Sequence, residues 1–253
     1  DGDKSRARAG PPTSVLWHDK GLSTDIHWSN TDFAGKRITG AKRSQLFRMR
    51  KWQRRARSFS SFERNMESAL TEMSRLAGLM DLTKAVKEEA AVIYRKALEK
   101  DMVRGRSIDA MVAASLYLAN QKLKTARSLD DFERHSRLKR KAITRAHKSM
   151  KANLKLRIAV SEPEEYVPRF CNLLGLPPEI VLATKNLLLD ARKRELTHGK
   201  SPTGVAAAAV YVAARLNQRP RTQREIADIS GVTEVTIRNR YKEIVDELGI
   251  DLE

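Results

Sequence analysis

The sequence has very little cysteine: Cys171 is the only one in 253 residues, so no disulfide can form within the chain. A chain without disulfides fits the reducing environment of a cytoplasm. With five histidines and no cysteine pair, we expect neither a zinc site nor any other cofactor in these residues. Cys171 stands among Phe170, Leu173 and Leu174, which predicts a small core residue.

Long apolar runs and catalytic patterns are also missing. No stretch approaches the roughly 20 apolar residues of a membrane-spanning helix, and no apolar block near the start has the form of a secretory signal. The sequence begins with Asp1 rather than methionine, so we expect a fragment or a processed form. Neither a Ser/His/Asp order nor a catalytic pair of carboxylates stands out, so we do not expect an enzyme.

Positive charge is what the sequence has in excess. It contains 49 Lys and Arg against 31 Asp and Glu, a net charge of +18. Such an imbalance favours a polyanionic partner, of which nucleic acid is the commonest. A membrane surface is the weaker alternative because no strongly apolar face opposes the basic residues. A basic, solvated surface without a ligand is the simplest alternative.

The N-terminal part changes composition along its length. Residues 1–35 have little periodicity, and spaced aromatic residues between glycines and prolines predict an extended segment that orders on a partner. Residues 36–57 contain ten Lys or Arg and no Asp or Glu. The run 41–57 is rich in helix formers and predicts a basic helix, within a region that we delimit as 36–60. A solvated linker is the alternative.

From about residue 62 the pattern is helical, and the chain repeats itself without gaps at an offset of 94 residues. Matched pairs include Gly105 with Gly199, Ser107 with Ser201, Ala113 with Ala207, Tyr117 with Tyr211, Ile143 with Ile237, and Leu154 with Leu248. A match over roughly 80 residues is hard to obtain by chance. We therefore predict two copies of one all-helical domain, at 61–158 and 159–253.

The second copy divides into five predicted helices, at about 162–174, 178–195, 202–216, 222–229 and 233–247. Ser201 is the predicted N-cap of the third helix, and Pro202 suits its first turn. Because that helix is rich in alanine, we expect a central helix that its neighbours approach closely.

The last two helices have the form of a helix-turn-helix, a motif that places its second helix in the major groove of DNA. Thr222 and Glu225 form a capping box, Gly231 permits the tight turn, Val232 fills the corner and Thr233 caps the next helix. A bundle corner with no ligand is the alternative.

In such a motif the N-terminal residues of the second helix face base edges. Val235 could contact a thymine methyl group, and Arg238 could bond guanine in bidentate fashion. Thr236, Asn239 and Arg240 are better placed for phosphates or mixed contacts. Three positions at helical spacing are predicted core: Ile237, Tyr241 and Ile244. Three loop and cap residues complete the predicted DNA contacts of this copy: Lys200, Arg221 and Thr233.

The matching segment of the first copy differs, because Arg137 stands where Gly231 stands in the second. It is far more basic, which favours contact with a DNA backbone or an acidic protein over base readout. A solvated face is the alternative. Its basic residues are Lys139, Arg140, Lys141, Arg145, Lys148, Lys151, Lys155 and Arg157.

Both copies also contain a short loop, Gly105-Arg106-Ser107 and Gly199-Lys200-Ser201. GKS ends a phosphate-binding loop in nucleotide hydrolases, but Arg194 occupies the place of that motif's first glycine and no strand precedes it. We reject nucleotide hydrolysis. We expect the loops to place a cation and a helix N-terminus near DNA phosphates, with Gly105, Arg106 and Lys200 as contacts.

Essentially the whole chain resembles the family of archaeal transcription factor B and eukaryotic transcription factor IIB. RARAGPPTSVLWHDKGLSTDIHW is similar to the family's reader segment, and its HDKGLST part is similar to the archaeal form. KRSQLFRMRKWQRRAR resembles the linker helix, and GVTEVTIRNRYKEI resembles the DNA-reading helix. The resemblance implies an all-α fold: two tandem five-helix cyclin-like domains preceded by an extended reader segment and a basic linker helix.

The resemblance also implies a general transcription initiation factor. The second copy would read the promoter element upstream of the TATA box through Val235 and Arg238. The Gly105-Arg106 loop would approach the minor groove downstream of that box. The cyclin folds would clamp TATA-binding protein, the reader would enter the RNA polymerase cleft and help select the start site, and the linker would assist DNA opening.

The family's zinc ribbon docks on polymerase, but its cysteines are absent from this sequence. We therefore expect polymerase contacts chiefly from residues 1–57. The residues that we assign to them are Trp17, His18, Asp19, Lys20, Arg48, Arg50, Lys51, Trp52, Arg54 and Arg55. Neither a membrane partner nor a homo-oligomer is expected, and the place of action would be the cytoplasm, at an archaeal nucleoid.

Two other functions stay open from the residues alone. The repeat permits a cyclin-like regulatory subunit of a kinase, although the +18 charge does not favour one. Tyr241 beside Arg238 and Arg240 could belong to a tyrosine recombinase, but no accompanying His-x-x-Arg constellation is convincing.

Overall fold

The computed structural model describes residues 13–22, 26, 28–31, 35–57, 61–156, 158 and 161–250. Across this part of the chain the secondary structure is helical, apart from an isolated antiparallel bridge between Thr31 and Arg37. The helices are α1 (Ala41–Arg57), α2 (Ser61–Leu79), α3 (Lys84–Glu99), α4 (Ile108–Lys122), α5 (Leu129–His135), α6 (Arg140–Asn153), α7 (Pro163–Leu173), α8 (Pro178–Lys193), α9 (Pro202–Leu216), α10 (Gln223–Ser230) and α11 (Glu234–Leu248). The all-α prediction is confirmed. Of these helices, none has an apolar stretch long enough to cross a membrane.

Helix α1 is the predicted basic helix, with the predicted bounds. It has good helix formers throughout and no acidic residue in its first turn. Apart from the Thr31–Arg37 bridge, the described residues before it form turns, bends and irregular backbone. Residues 1–12 lie outside the described part of the chain, so the prediction for the start of this segment cannot be compared with the structure there.

The chain folds as two compact units. One comprises Asp1–Leu116 and Ala146–Leu154, and the other comprises Tyr117–Arg145 and Lys155–Glu253. Their boundaries lie within α4 and α6, so α5 belongs to the second unit although it lies in the first repeat of the sequence. The domain boundaries drawn from the repeat follow the sequence rather than these units, and they stay a prediction.

In the first unit, α2 and α3 present their apolar faces to a common core. Met66, Met73 and Leu76 of α2 are almost completely buried, as is Tyr94 of α3. The Tyr94 hydroxyl donates to Oδ1 of Asn65 at 2.6 Å, which satisfies the one polar atom that the ring carries into the interior. Burial raises the pKa of Tyr94 above its ordinary value.

The second unit is built around α9, in which every residue from Gly204 to Ala214 is buried. This confirms the predicted central, alanine-rich helix, and α7, α8, α10 and α11 all pack against it. Cys171 of α7 belongs to the same core, as predicted, and burial raises the pKa of its thiol to about 11.

The prediction that Ser201 is the N-cap residue of α9 is confirmed for its position, but not for a hydrogen bond from its side chain. Ser201 occupies the N-cap position and Pro202 the first turn, but the Ser201 side chain makes no hydrogen bond to the helix backbone. Its hydroxyl bonds instead to the hydroxyl of Thr203 at 2.8 Å.

An ion pair joins α5 to α7 inside the second unit. Arg169 donates from Nη1 to Oδ2 of Asp131 at 2.7 Å and from Nη2 to Oδ1 at 3.1 Å, a bidentate arrangement. Nη1 also donates to the carbonyl of Ala126 at 3.2 Å. Asp131 itself forms a capping box with Ser128 at the start of α5. The pair therefore holds a segment of the first repeat in the core of the second unit.

Burial by itself would raise the pKa of Asp131. The hydrogen bonds and charge of Arg169, together with hydrogen bonds from Ser128, more than offset burial and hold the pKa of this carboxyl below its usual value.

Candidate nucleic-acid interface

The predicted helix-turn-helix forms from α10 and α11. The backbone N–H of Thr222 donates to Oε2 of Glu225 at 2.8 Å, and the N–H of Glu225 donates to Oγ1 of Thr222 at 3.2 Å, which confirms the capping box. Gly231 follows α10 with φ of +71°, the left-handed conformation that its sequence position predicted, and its N–H donates to the carbonyl of Ala227. The turn is therefore set by local chemistry.

Thr233 caps α11, as predicted. Its Oγ1 accepts from the backbone N–H of Thr236 at 3.4 Å, and the two hydroxyls bond to each other at 2.8 Å. Both side chains therefore form hydrogen bonds that stabilise the N-terminus of α11. The DNA contacts assigned to Thr233 and Thr236 stay predictions.

One face of α11 is buried and fixes the helix to the core. Ile237 and Ile244 are 0% and 3% exposed, and the Tyr241 ring lies 4.8 Å from the Tyr211 ring, measured between centroids. The predicted core positions are confirmed.

The opposite face carries the predicted base contacts. Val235 is 64% exposed, and Arg238 and Asn239 are exposed one turn further along. A large apolar side chain exposed beside a cation and an amide, on a rigid helix, presents the donor and methyl groups that major-groove readout requires. The structure therefore brings these residues together on one accessible surface.

Lys200 and Arg240 converge on an acidic partner that spacing did not suggest. Lys200 Nζ pairs with Oε1 of Glu243, and Arg240 Nη1 donates to Oε2 of the same carboxylate at 3.0 Å. The hydrogen bond from Lys200, with that from Arg240, lowers the pKa of Glu243. Phosphate contacts by these cations stay predictions, and they would have to compete with Glu243. Arg221, also assigned to DNA, is half-buried directly before α10.

In the first unit, the Gly105 loop is anchored on α6. Gly105 has φ of +74°, and the exposed Arg106 donates from Nη1 to Oγ of Ser149 at 2.8 Å. The first copy has no left-handed turn where the second has Gly231: α5 ends at Ser136 in extended backbone, with φ of −91°. Six basic residues that follow α5 or lie on α6 are exposed: Arg137, Lys139, Arg140, Lys141, Arg145 and Lys148. Arg157 lies outside the described residues.

Two residues that the sequence did not single out, Asp130 and Arg134, lie against the turn between α10 and α11. A side chain at Gly231 would have its Cβ 3.5 Å from Nη2 of Arg134 and 3.7 Å from Cβ of Asp130, both on α5. The turn is thus supported by a helix from the other sequence repeat. No local signal predicts this, because the contact joins residues about 100 positions apart in the chain.

Replacing Gly231 with alanine is expected to destabilise the second unit by about 1–2 kcal/mol, the usual cost of a left-handed conformation for a residue with a Cβ. The space itself is sufficient, since the nearest atom would be at 3.5 Å. Urea unfolding followed by circular dichroism measures the change. Gly78→Ala is the matched control, because Gly78 lies in α2 with ordinary φ and a Cβ added there would meet no heavy atom within 4 Å. Equal stability changes in the two variants would contradict the strain argument.

Four consecutive residues that we assign to polymerase contact, Trp17 to Lys20, lie in a loop of the first unit. The N–H of Ser14 donates to the carbonyl of Lys20 at 3.1 Å and closes the loop, while the N–H of Gly21 donates to Oδ1 of Asp19 at 2.9 Å. Trp17 is 45% exposed, and His18 is half-buried.

Arg95 of α3 holds this loop, which the sequence did not indicate. Its guanidinium donates to the carbonyls of Val15 at 3.0 Å and His18 at 3.1 Å, and also to the carbonyl of Trp17. Burial lowers the pKa of Arg95 from its ordinary value. A polymerase contact by the loop would use the side chains that remain exposed around this anchor.

The remaining residues assigned to polymerase lie on α1. Arg48 and Lys51 are exposed, and Trp52 is 64% exposed with the guanidinium carbon of Arg55 5.4 Å from its ring centroid. Arg50 is tied internally to residues 29 and 30. The side chain of Arg54 lies outside the described part of the structure.

The described part of the chain has no group of three or more His, Cys, Asp or Glu side chains that could hold a metal ion. A structural zinc site takes four ligands, usually including cysteine pairs, and Cys171 is a single buried thiol.

The family model described as the transcription factor TFIIB repeat matches residues 62–153 and 157–247. The chain belongs to this family. Transcription initiation factor IIB of Archaeoglobus fulgidus is 51% identical over 247 residues, which are 98% of this chain and 76% of the relative. Transcription initiation factor IIB of Methanosarcina mazei is 49% identical, with 98% of this chain and 73% of the relative covered.

These findings confirm the resemblance drawn from the motifs. As a member of the TFIIB repeat family, the chain is a general transcription initiation factor, and the family is not one of enzymes. A viral cyclin from herpesvirus saimiri has a TM-score of 0.34 and 17% identity over 76% of this chain and 91% of that one. A likeness at that score carries no conclusion about function, so the kinase-subunit alternative gains nothing from it.

Proposed function

We propose that this initiation factor binds promoter DNA next to the TATA box together with TATA-binding protein, recruits RNA polymerase, and helps DNA opening and start-site selection. The observation that carries the proposal is the exposed face of α11. There Val235, Arg238 and Asn239 stand outward on a helix that Ile237 fixes to the core. This is the arrangement that a helix in the major groove needs for base readout.

The two repeats have different tasks in this proposal. The second repeat supplies the left-handed turn and the reading helix, so it selects sequence. The first repeat has no such turn and exposes cations along α6, so it adds affinity through the DNA backbone, with Gly105 and Arg106 near the minor groove. The loop at residues 14–21 and α1 contact polymerase. No cofactor, membrane or second copy of the chain is part of the proposal, and the place of action is the archaeal nucleoid in the cytoplasm.

Arg238→Ala is expected to weaken binding to a promoter with the preferred upstream sequence by roughly 5- to 150-fold, the value of a bidentate base contact. Binding to a promoter with a scrambled upstream sequence should change little. Gel shifts with TATA-binding protein present, at one fixed salt concentration, measure both affinities.

Lys242→Ala is the matched control, since Lys242 is an exposed cation on the same helix outside the predicted reading face. It should reduce both affinities slightly and equally. An equal loss on both promoters for Arg238→Ala would show that Arg238 contacts phosphate rather than a base, and would overturn base readout by this residue.

A further inference from the structure

The carboxylate of Glu243 on α11 binds two cations that come from different elements. Lys200, in the loop before α9, pairs through Nζ with Oε1 of Glu243. Arg240, one turn earlier on α11, donates from Nη1 to Oε2 at 3.0 Å. Both carboxylate oxygens are therefore engaged, and the two cations share one negative charge.

This cluster is partly shielded from solvent. The Lys200 side chain is only 17% exposed, and the side chains of Arg240 and Glu243 are 35% and 34% exposed. Charges in such a position are screened less by salt than fully exposed ones. The hydrogen bond from Lys200, with that from Arg240, holds the pKa of Glu243 below its ordinary value, so the carboxylate is charged at neutral pH.

The cluster lies on one flank of α11, beside the exposed face that carries the predicted base contacts. Thr236, Arg240 and Glu243 are spaced by four and three residues and therefore share this flank. The flank faces the first turn of α9, since Cγ2 of Thr236 is 3.5 Å from the position that a Cβ on Gly204 would occupy. A helix in the major groove has a phosphate backbone on each side, so Lys200 and Arg240 lie where phosphates would pass.

In this position the Glu243 carboxylate takes the place of a DNA phosphate. Lys and Arg raise the affinity for duplex DNA by neutralising phosphates and releasing counterions. A cation that is already neutralised adds to this affinity only when it exchanges its carboxylate for a phosphate, and the exchange leaves an unpaired negative charge beside the DNA. The effect is opposite to that of the chain's net charge of +18, which favours binding to any duplex.

We propose that Glu243 is an internal counter-charge that keeps Lys200 and Arg240 from DNA phosphates and so limits binding to duplex DNA of any sequence. The inference rests on the proposed function, because it places α11 in the major groove. It revises the phosphate contacts predicted for Lys200 and Arg240, which become contacts that Glu243 suppresses. Low affinity for bare duplex makes stable binding depend on TATA-binding protein, the second component of the proposed promoter complex.

The test uses the full 253-residue chain without TATA-binding protein, and a fluorescent duplex of about 20 base pairs with a scrambled upstream element. Fluorescence anisotropy over a series of salt concentrations gives the affinity and its logarithmic salt slope. Glu243→Gln should bind roughly 5- to 50-fold more tightly at about 0.1 M salt, with a slope steeper by about 0.9 to 1.8. These are the effects of one or two additional phosphate contacts.

Glu247→Gln is the matched control. Glu247 is an exposed residue one turn beyond Glu243 on the same flank, and its replacement changes the net charge by the same amount. Because an exposed charge is well screened, this variant should change the affinity by less than about twofold. Circular dichroism and urea unfolding verify that each variant is folded.

Lys200→Gln provides a second measurement, through its coupling to Glu243. In the otherwise unchanged protein it should leave the salt slope nearly constant, because the amine is already neutralised. In the Glu243→Gln background the same replacement should lower the slope by about 0.9. Glu243→Asp replaces Glu243→Gln if the latter folds poorly: its shorter side chain cannot reach both cations, and it should shift the affinity in the same direction by a smaller factor.

Weaker duplex binding by folded Glu243→Gln would overturn the proposal and show that Glu243 orients the two cations toward phosphates. An equal gain in Glu247→Gln, or a full loss of about 0.9 in slope for Lys200→Gln alone, would also overturn it. The Arg238→Ala test is independent, because it compares matched with scrambled promoters in the presence of TATA-binding protein. Its failure would remove base readout and leave the result on the scrambled duplex intact, and the converse also holds.

Discussion

Arg169→Met is expected to lower the free energy of unfolding of the second unit by about 3–5 kcal/mol, the usual cost of removing one partner from a buried ion pair. The Asp131 side chain is only 9% exposed and its carboxylate accepts two hydrogen bonds from Arg169. Methionine fills a similar volume, but the carboxylate would remain buried with only the Ser128 bonds to satisfy it. Urea unfolding measures the loss.

The paired variant Arg169→Met, Asp131→Asn should recover much of that stability, because a neutral amide can keep the Ser128 cap without a buried charge. Lys193→Ala is the surface control. It breaks the Lys193–Asp190 pair, whose side chains are 76% and 57% exposed, and should change stability by less than about 1 kcal/mol. If Arg169→Met cost no more than this control, the ion pair would not be what holds α5 in the second unit.

Lowering the pH should remove the stabilisation that the Arg169–Asp131 ion pair provides. The pKa of Asp131 is lower in the folded protein than the ordinary 3.8, so the unfolded chain takes up its proton first as the pH falls. The stabilisation is therefore complete above about pH 5 and is lost as the pH drops through 3.8 toward the folded-state pKa. In the paired variant this part of the acid dependence should disappear.

Ile237→Ala is expected to destabilise the second unit by about 2–5 kcal/mol, because it removes buried methyl and methylene groups and leaves a cavity under the reading helix. Ile237 has no exposed surface, and it belongs to the core cluster around α9. A loosened α11 should bind every DNA sequence less tightly, since both base and phosphate contacts depend on the position of this helix.

The Val235→Ala variant tests the exposed face of α11 separately from the buried face that Ile237 occupies. Val235 is 64% exposed, so its truncation should change stability by less than about 0.5 kcal/mol while reducing the preference for the upstream element. Unfolding curves and gel shifts on matched and scrambled promoters measure the two effects. If Val235→Ala and Ile237→Ala lowered the free energy of unfolding equally, the division of α11 into a buried face and a DNA-contacting face would be wrong.

Elements with a local cause were predictable from sequence. Helix α1 has the predicted bounds because its propensity does not depend on distant contacts. The α10–α11 turn was predictable because the Thr222–Glu225 box and Gly231 satisfy backbone groups within a few residues. The alanine-rich composition of α9 predicted a central helix, since small side chains permit close approach from all sides.

Predictions that depended on partners elsewhere in the chain were incomplete. Lys200 looked like a free cation next to a helix N-terminus, but its amine pairs with Glu243, 43 residues away. Ser201 occupies the predicted N-cap position, but its hydroxyl bonds to the hydroxyl of Thr203 and not to a backbone N–H. The Arg95 anchor of the N-terminal loop spans nearly 80 residues, and neither end carries a local signal.

By itself the sequence determined the helical class, the internal repeat, the positive charge and the helix-turn-helix of this initiation factor, because periodicity, caps and turns act over a few residues. The tertiary structure decided where the compact units divide, which cations are paired, and which face of α11 stays exposed. These outcomes depend on burial and on charge pairs between distant residues, and their energies arise only when the chain has brought those residues together.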